Sequence, residues 1–142
     1  IMNVEKLPLY KEKYFLVIKK KLYQSQASIS WSKCHEIDLC LISPENQFRR
    51  ILNSIFQKKN ISPNVLIESN SLIHLFSHVS SSDLSTIMPG SFAKQFNFNS
   101  EISFLELSDP SIFHDVGGVF IKDKGPSPIK DRFIKYLTSI DK

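Results

Sequence analysis

Short, continuous apolar runs alternate along the chain with longer stretches that are apolar only every third or fourth residue. Residues 14–18 (YFLVI) and 37–43 (IDLCLIS) are apolar runs of strand length, rich in β-branched and aromatic residues. Residues 64–68 (NVLIE), 84–88 (LSTIM), 102–107 (ISFLEL) and 116–121 (VGGVFI) read as further strands. Between them, Phe48, Ile51, Leu52, Ile55 and Phe56 form one helical stripe, and Leu72, Leu75, Phe76 and Val79 form a second. Ser43-Pro44-Glu45 predicts the start of the first helix: serine caps, proline suits the first helical position, and an acid favours the first turn. Lys58-Lys59-Asn60 predicts its end. Ser69, Asn70 and Ser71 supply caps for the second helix, and a short helix is expected over 91–95. Lys124-Gly125-Pro126 turns the chain, and Ser127-Pro128 opens a last helix bearing Ile129, Phe133, Leu137 and Ile140. Residues 19–30 are polar and read as a loop, followed by one helical turn over 31–36 capped by Ser30.

Strands that alternate with helices argue for an α/β layer fold with a mainly parallel sheet flanked by helices. The 142 residues suit one domain or one lobe, and 11 phenylalanines among 42% hydrophobic residues can fill a core. The start lacks the apolar segment of a signal peptide, and no run reaches the roughly 18–20 apolar residues a membrane span needs. Two cysteines, Cys34 and Cys40, match no disulfide framework, zinc site or redox motif, so a cytoplasmic location is expected. The net charge of +4, from 18 Lys+Arg against 14 Asp+Glu, is too small and dispersed to predict nucleic-acid contact by this chain. The first residue is Ile1, and the chain is expected to be part of a longer protein.

Catalytic and metal motifs are thin. Cys34-His35-Glu36 places a nucleophile beside a base, but adjacent residues on one turn point in different directions. His74 and His78 have the i, i+4 spacing of metal ligands, yet no third ligand accompanies them, and surface histidines are expected. There is no Gly-rich phosphate loop or nucleophile elbow, and only four glycines exist to build one. The chain is therefore not expected to be an enzyme or to hold a cofactor or metal. Asp109-Pro110 and Asp123 are turn residues, and Trp31 is expected to pack under the polar loop.

Several segments, in order, resemble the C-terminal effector-binding region of LysR-type transcriptional regulators. They are LPLYKEKYFLVI, DLCLISPENQFRRILNSIF, PNVLIESNSLIHLFSHV, LSTIMP and FHDVGGVFIKDKGPSPIKDRFIKYL. Arg49 stands in the family's arginine place and Asn53 in its aspartate place. The family's Gly-x-Gly before the LSTIMP-like strand is replaced by Ser82 and Leu84, which implies a different local turn. The resemblance implies a type II periplasmic-binding-protein-like fold. Residues 1–24 would cross from a missing first lobe, 25–112 would form the second lobe, and 113–142 would be a return strand and terminal helix. No helix-turn-helix is present among these residues. DNA contact would therefore belong to an N-terminal domain outside them.

In such a two-lobed binder the ligand lies beyond the carboxyl ends of the strands, where helix N-termini favour a small anion. Ser43 and Gln47, after the strand 37–43, and Asn70 and Ser71, after the strand 64–68, are the candidate effector-binding residues. Ser43, Asn70 and Ser71 are also good helix caps, a role that needs no ligand. The charge of Glu68 would oppose an anion, which assigns it to the fold. The implied function is effector sensing, with a small-molecule effector as partner and self-association into a homodimer or higher oligomer. The helix bearing Phe48 to Phe56 is the candidate pairing surface. A lobe of an extracytoplasmic solute-binding protein, of the same general fold, is the alternative.

Overall fold

A computed structural model describes residues 3–23, 26–96, 99–122 and 125–140. Asp123 and Lys124, read above as turn residues, lie outside them. The chain divides into two units, one of residues 13–112 and one of residues 1–12 with 113–142.

In the larger unit β2 (Tyr14–Lys19) is followed by β3 (Ser28–Ser30), a single 3-10 turn η1 (Trp31–His35) and β4 (Asp38–Ile42). Helix α1 (Gln47–Lys58), β5 (Asn64–Ser69), α2 (Leu72–Ser81), β6 (Thr86–Pro89), α3 (Gly90–Phe96) and β7 (Ile102–Ser108) complete it. Strands β3, β7, β2 and β6 are neighbours in that order, and β4 pairs with β5. A bridge between Leu39 and Ser85 joins the two sets, with Cys40 N donating to Ser85 O at 2.8 Å and Ser85 N to Asp38 O at 3.0 Å. The sheet order is thus β3-β7-β2-β6-β4-β5. Only β2 runs against its neighbours, antiparallel to both β6 and β7; the other pairings are parallel. This is the mixed, mainly parallel sheet that the alternation of elements predicts.

Strand alternation sends side chains to two faces. Leu16, Ile18, Leu39, Leu41 and Ile87 pack with Leu52, Ile55 and Phe56 of α1 and with Trp31 and Cys34 of η1. Val17, Cys40, Ile42 and Met88 pack with Leu75, Phe76 and Val79 of α2 and with Phe92 and Phe96 of α3. Trp31 is fully buried against Tyr14 and Phe56, as expected of a packed aromatic.

Two local readings are corrected. Helix α1 starts at Gln47, not at Ser43-Pro44. Asn46 is its cap, accepting from Phe48 N at 2.8 Å, while Ser43 O accepts from Asn46 N at 3.0 Å and closes a turn first. The stretch 19–30 is not all loop, because β3 pairs in parallel with β7 and buries only Ile29. The apolar stripe of α1 is turned into the core, and its outer side, with Arg50, Asn53, Ser54 and Gln57, is polar.

Chain ends of helices follow local chemistry. After α1, Asn60 takes the left-handed conformation (φ 55°), Asn60 N donates to Gln57 O at 3.1 Å, and Ile61 N to Phe56 O at 2.8 Å. After α2, where a glycine pair was the family pattern, Ser82 is extended (φ −141°), and its hydroxyl accepts from Leu84 N at 3.1 Å.

In the smaller unit β1 (Val4–Glu12) and β8 (His114–Ile121) form an antiparallel ribbon, and α4 (Pro128–Ser139) is capped by Ser127. Phe133 of α4 meets Phe120 edge to face, and Lys130 pairs with Glu5 at 3.6 Å. The unit leaves Val119, Ile121, Ile129 and Tyr136 exposed, and no residue of α4 is buried.

Candidate functional site

The carboxyl ends of β4, β5 and β6 lie on one edge of the sheet. The chain leaving β4 turns to α1 on one face, whereas β5 and β6 lead to α2 and α3 on the other. Neighbouring strands whose connections diverge to opposite faces leave a crevice at that edge.

The two predicted turns meet there. Ser43, just after β4, donates its backbone N–H to the carbonyl of Ser69, the last residue of β5, at 2.9 Å. This bond sets residues 43–47 beside residues 69–71. Ser71 caps α2, its hydroxyl accepting from His74 N at 3.4 Å, and its own N–H donates to Ser69 Oγ at 3.2 Å. Gln47 and Asn70 are exposed, and among the described residues their side chains make no hydrogen bond. The amide groups of these two side chains and the N-termini of α1 and α2 are the free donors of the edge.

The Ser43 hydroxyl is already engaged. It donates to Glu45 Oε1 at 2.7 Å, and this bond, helped by a backbone hydrogen bond, holds the exposed Glu45 carboxyl below its usual range. An anion at Ser43 would compete with Glu45.

Arg49 braces the edge from beneath. It is 8% exposed, its Nη1 donates to Ile42 O at 2.8 Å and to Glu68 Oε2 at 2.6 Å, and its Nε donates to Asn53 Oδ1 at 2.9 Å. The arginine and asparagine that stand in the family's Arg and Asp places are therefore hydrogen-bonded to each other. Sequence alone left the role of Arg49 open, because nothing in it shows that a charged residue on an apolar stripe will face the end of a strand 19 residues away at Glu68.

The remaining candidates do not assemble a reactive centre. Cys34 is fully buried, and burial pushes its thiol up to about 12. His35 turns away to accept from Ser62 N at 3.3 Å. His74 is exposed on α2, with His78 one turn further on. Among the described residues no group of three or more His, Cys, Asp or Glu is placed to hold a metal ion. Among them, too, no helix is long and apolar enough to cross a membrane.

Comparison with known proteins gives the family and the fold. Residues 2–140 match the model of the LysR substrate binding domain family. The chain is similar to CbnR complexed with its target DNA (17% identity, TM-score 0.79, 95% of this chain and 47% of that one). It is similar to the effector-binding domain of QuiR in complex with shikimate (21%, TM-score 0.74, 96% and 64%). A third structure is the regulatory domain of CcmR from Synechocystis PCC6803 in complex with 2-PG (13%, TM-score 0.82, 97% and 67%). The chain thus spans about half of the first and about two thirds of the other two. No curated protein sequence matches the chain significantly.

Proposed function

Because the chain belongs to the LysR substrate binding domain family, we propose that it is the larger part of the effector-sensing domain of a LysR-type transcriptional regulator. The unit of residues 13–112 is the second lobe, and the ribbon and α4 belong to the connection with a first lobe. The family match favours this reading over a solute-binding protein. The exposed Val119, Ile121 and Ile129 are the kind of surface that a first lobe covers. An effector held between lobes shifts their equilibrium and so re-poses DNA-binding heads, without chemistry on the effector. The regulator acts in the cytoplasm as a homodimer or higher oligomer, and touches DNA through an N-terminal helix-turn-helix outside these residues.

The observation that supports the site is the Ser43 N–H to Ser69 carbonyl bond, which sets the two turns and two helix N-termini side by side. Ser43, Gln47, Asn70 and Ser71 bind the effector, a small anion. Shikimate, the ligand in the QuiR complex, is a carboxylate and makes a suitable first probe.

Amide NMR shifts of the chain titrated with shikimate, benzoate and inorganic phosphate test the site. Saturable shifts at Ser43, Gln47, Asn70 and Ser71 with at least one anion are expected. Shifts that stay linear in anion concentration, or that fall elsewhere, overturn the assignment.

A further inference from the structure

A second hollow lies at the opposite edge of the same sheet, where β4 begins. Asp38 opens β4 and Ser43 follows its end, so the strand's five residues, at about 3.3 Å each, separate the two places. The hollow measures about 380 Å³, at the lower end of the range of small-molecule sites. Ile18, Leu22 and Ile37 give it apolar walls.

Its polar lining is unbalanced. Glu36, Asp38 and Asp83 line it, against Lys33 alone. Lys33 Nζ pairs with Glu36 at 3.4 Å, and Lys21 Nζ reaches Asp83 at 3.1 Å. Asp38 has only a neutral donor, the Asn64 side-chain amide at 2.7 Å, and no cation among the described residues. One carboxylate at the rim of an apolar hollow is left without a counter-charge.

Ser85 is the second, independent sign. It is fully buried and lines the hollow, and both its backbone groups are used by β4. Its hydroxyl has no hydrogen-bond partner. Alternation along β6 puts that side chain on the face of Ile87, the face on which Ile37 packs. A buried hydroxyl without a partner is costly and usually marks a missing group.

We propose that this hollow binds a small primary ammonium ion with a short aliphatic chain. The ammonium supplies the charge that Asp38 lacks and donates to the Ser85 hydroxyl oxygen, while the alkyl chain lies on Ile18, Leu22 and Ile37. An anion meets the unpaired carboxylate of Asp38 there, and a neutral alcohol leaves that charge uncompensated.

The test is an amide NMR titration of the chain with n-butylammonium at low ionic strength, with n-butanol and butyrate run alongside. Saturable shifts at Ile37, Asp38 and Ser85 are expected with n-butylammonium alone. Asp38→Asn, which keeps the neutral contact with Asn64, weakens binding by about tenfold, and Ser85→Ala weakens it by less. The spectrum of each variant reports whether the fold is kept. If n-butanol moves the same amides as strongly, if no shift saturates, or if both folded variants bind as tightly as the parent, the proposal is wrong.

Discussion

Arg49 and Glu68 stand on different elements, α1 and β5, and their side chains meet at 2.6 Å. The two are not equally enclosed: the Arg49 side chain is 10% exposed and that of Glu68 is 45% exposed. The guanidinium also holds the carbonyl of Ile42 and the amide oxygen of Asn53. Its worth therefore lies more in the buried bond to the Ile42 carbonyl than in the half-solvated ion pair. Arg49→Met should lower stability by about 2–3 kcal/mol, since it strands a buried carbonyl. Glu68→Gln should cost under about 1 kcal/mol, since water screens the charge it removes. Urea unfolding of both variants checks this; equal losses would show that the ion pair dominates.

Glu45 opposes the function proposed for its neighbour. Its carboxylate accepts the Ser43 hydroxyl at 2.7 Å, and its low pKa keeps it charged at neutral pH. An anionic effector must displace it and tolerate its charge. Glu45→Gln removes the charge while keeping the shape, and benzoate affinity at pH 7 should rise by about 3- to 10-fold. Calorimetric or NMR titration of parent and variant measures the difference. Unchanged or weaker binding by the variant would place the anion away from Ser43.

The elements with strong periodicity were legible because pattern and burial coincide. The stripes of α1 and α2 and the run from Asp38 to Ile42 are apolar where the structure buries them. Strand β3 was not, because one buried residue, Ile29, leaves no period to see. The start of α1 was misplaced because Ser43-Pro44-Glu45 and Asn46 are both plausible starts, and only the turn that ties Ser43 O to Asn46 N decides between them. Resemblance to a family pointed to the turns at 43–47 and 69–71. That they lie side by side follows from the parallel pairing of β4 with β5, whose last bond is Ser43 N–H to Ser69 O and which only tertiary structure creates. The engagement of Ser43 by Glu45 and the enclosure of Arg49 are likewise side-chain geometry that spacing does not encode.

Both thiols should be inert in the native chain. Burial pushes Cys34 up to about 12 and Cys40 up to about 11. At pH 8 neither is a thiolate, so labelling by a disulfide reagent should proceed only as fast as the chain unfolds. The folded pKa values lie above the unfolded value of 9.0, so the stability linked to these thiols is complete below about pH 9. It is lost as pH rises through 11 and 12. The Cys34→Ala, Cys40→Ala variant should start less stable, because it opens cavities, yet decline less between pH 9 and 11. Urea midpoints across that range, compared between parent and variant, measure the difference; parallel curves would contradict it.

Gly117 and Gly118 are neighbours in β8 with opposite tolerance. A Cβ on Gly117 would run into the backbone carbonyl oxygen of Leu7 in β1, which cannot move without parting the ribbon. A Cβ on Gly118 would meet the ring edge of Phe120 at 2.9 Å, and a side chain can turn aside. Gly117→Ala should therefore cost about 2–3 kcal/mol of local stability, and Gly118→Ala about 1 kcal/mol or less. Amide hydrogen exchange reads the effect where it occurs: β1 and β8 should exchange faster in Gly117→Ala, with the amides of β4 and β5 as the internal reference. If the two alanine variants protect the ribbon equally, the close approach of Leu7 is not what requires glycine at Gly117.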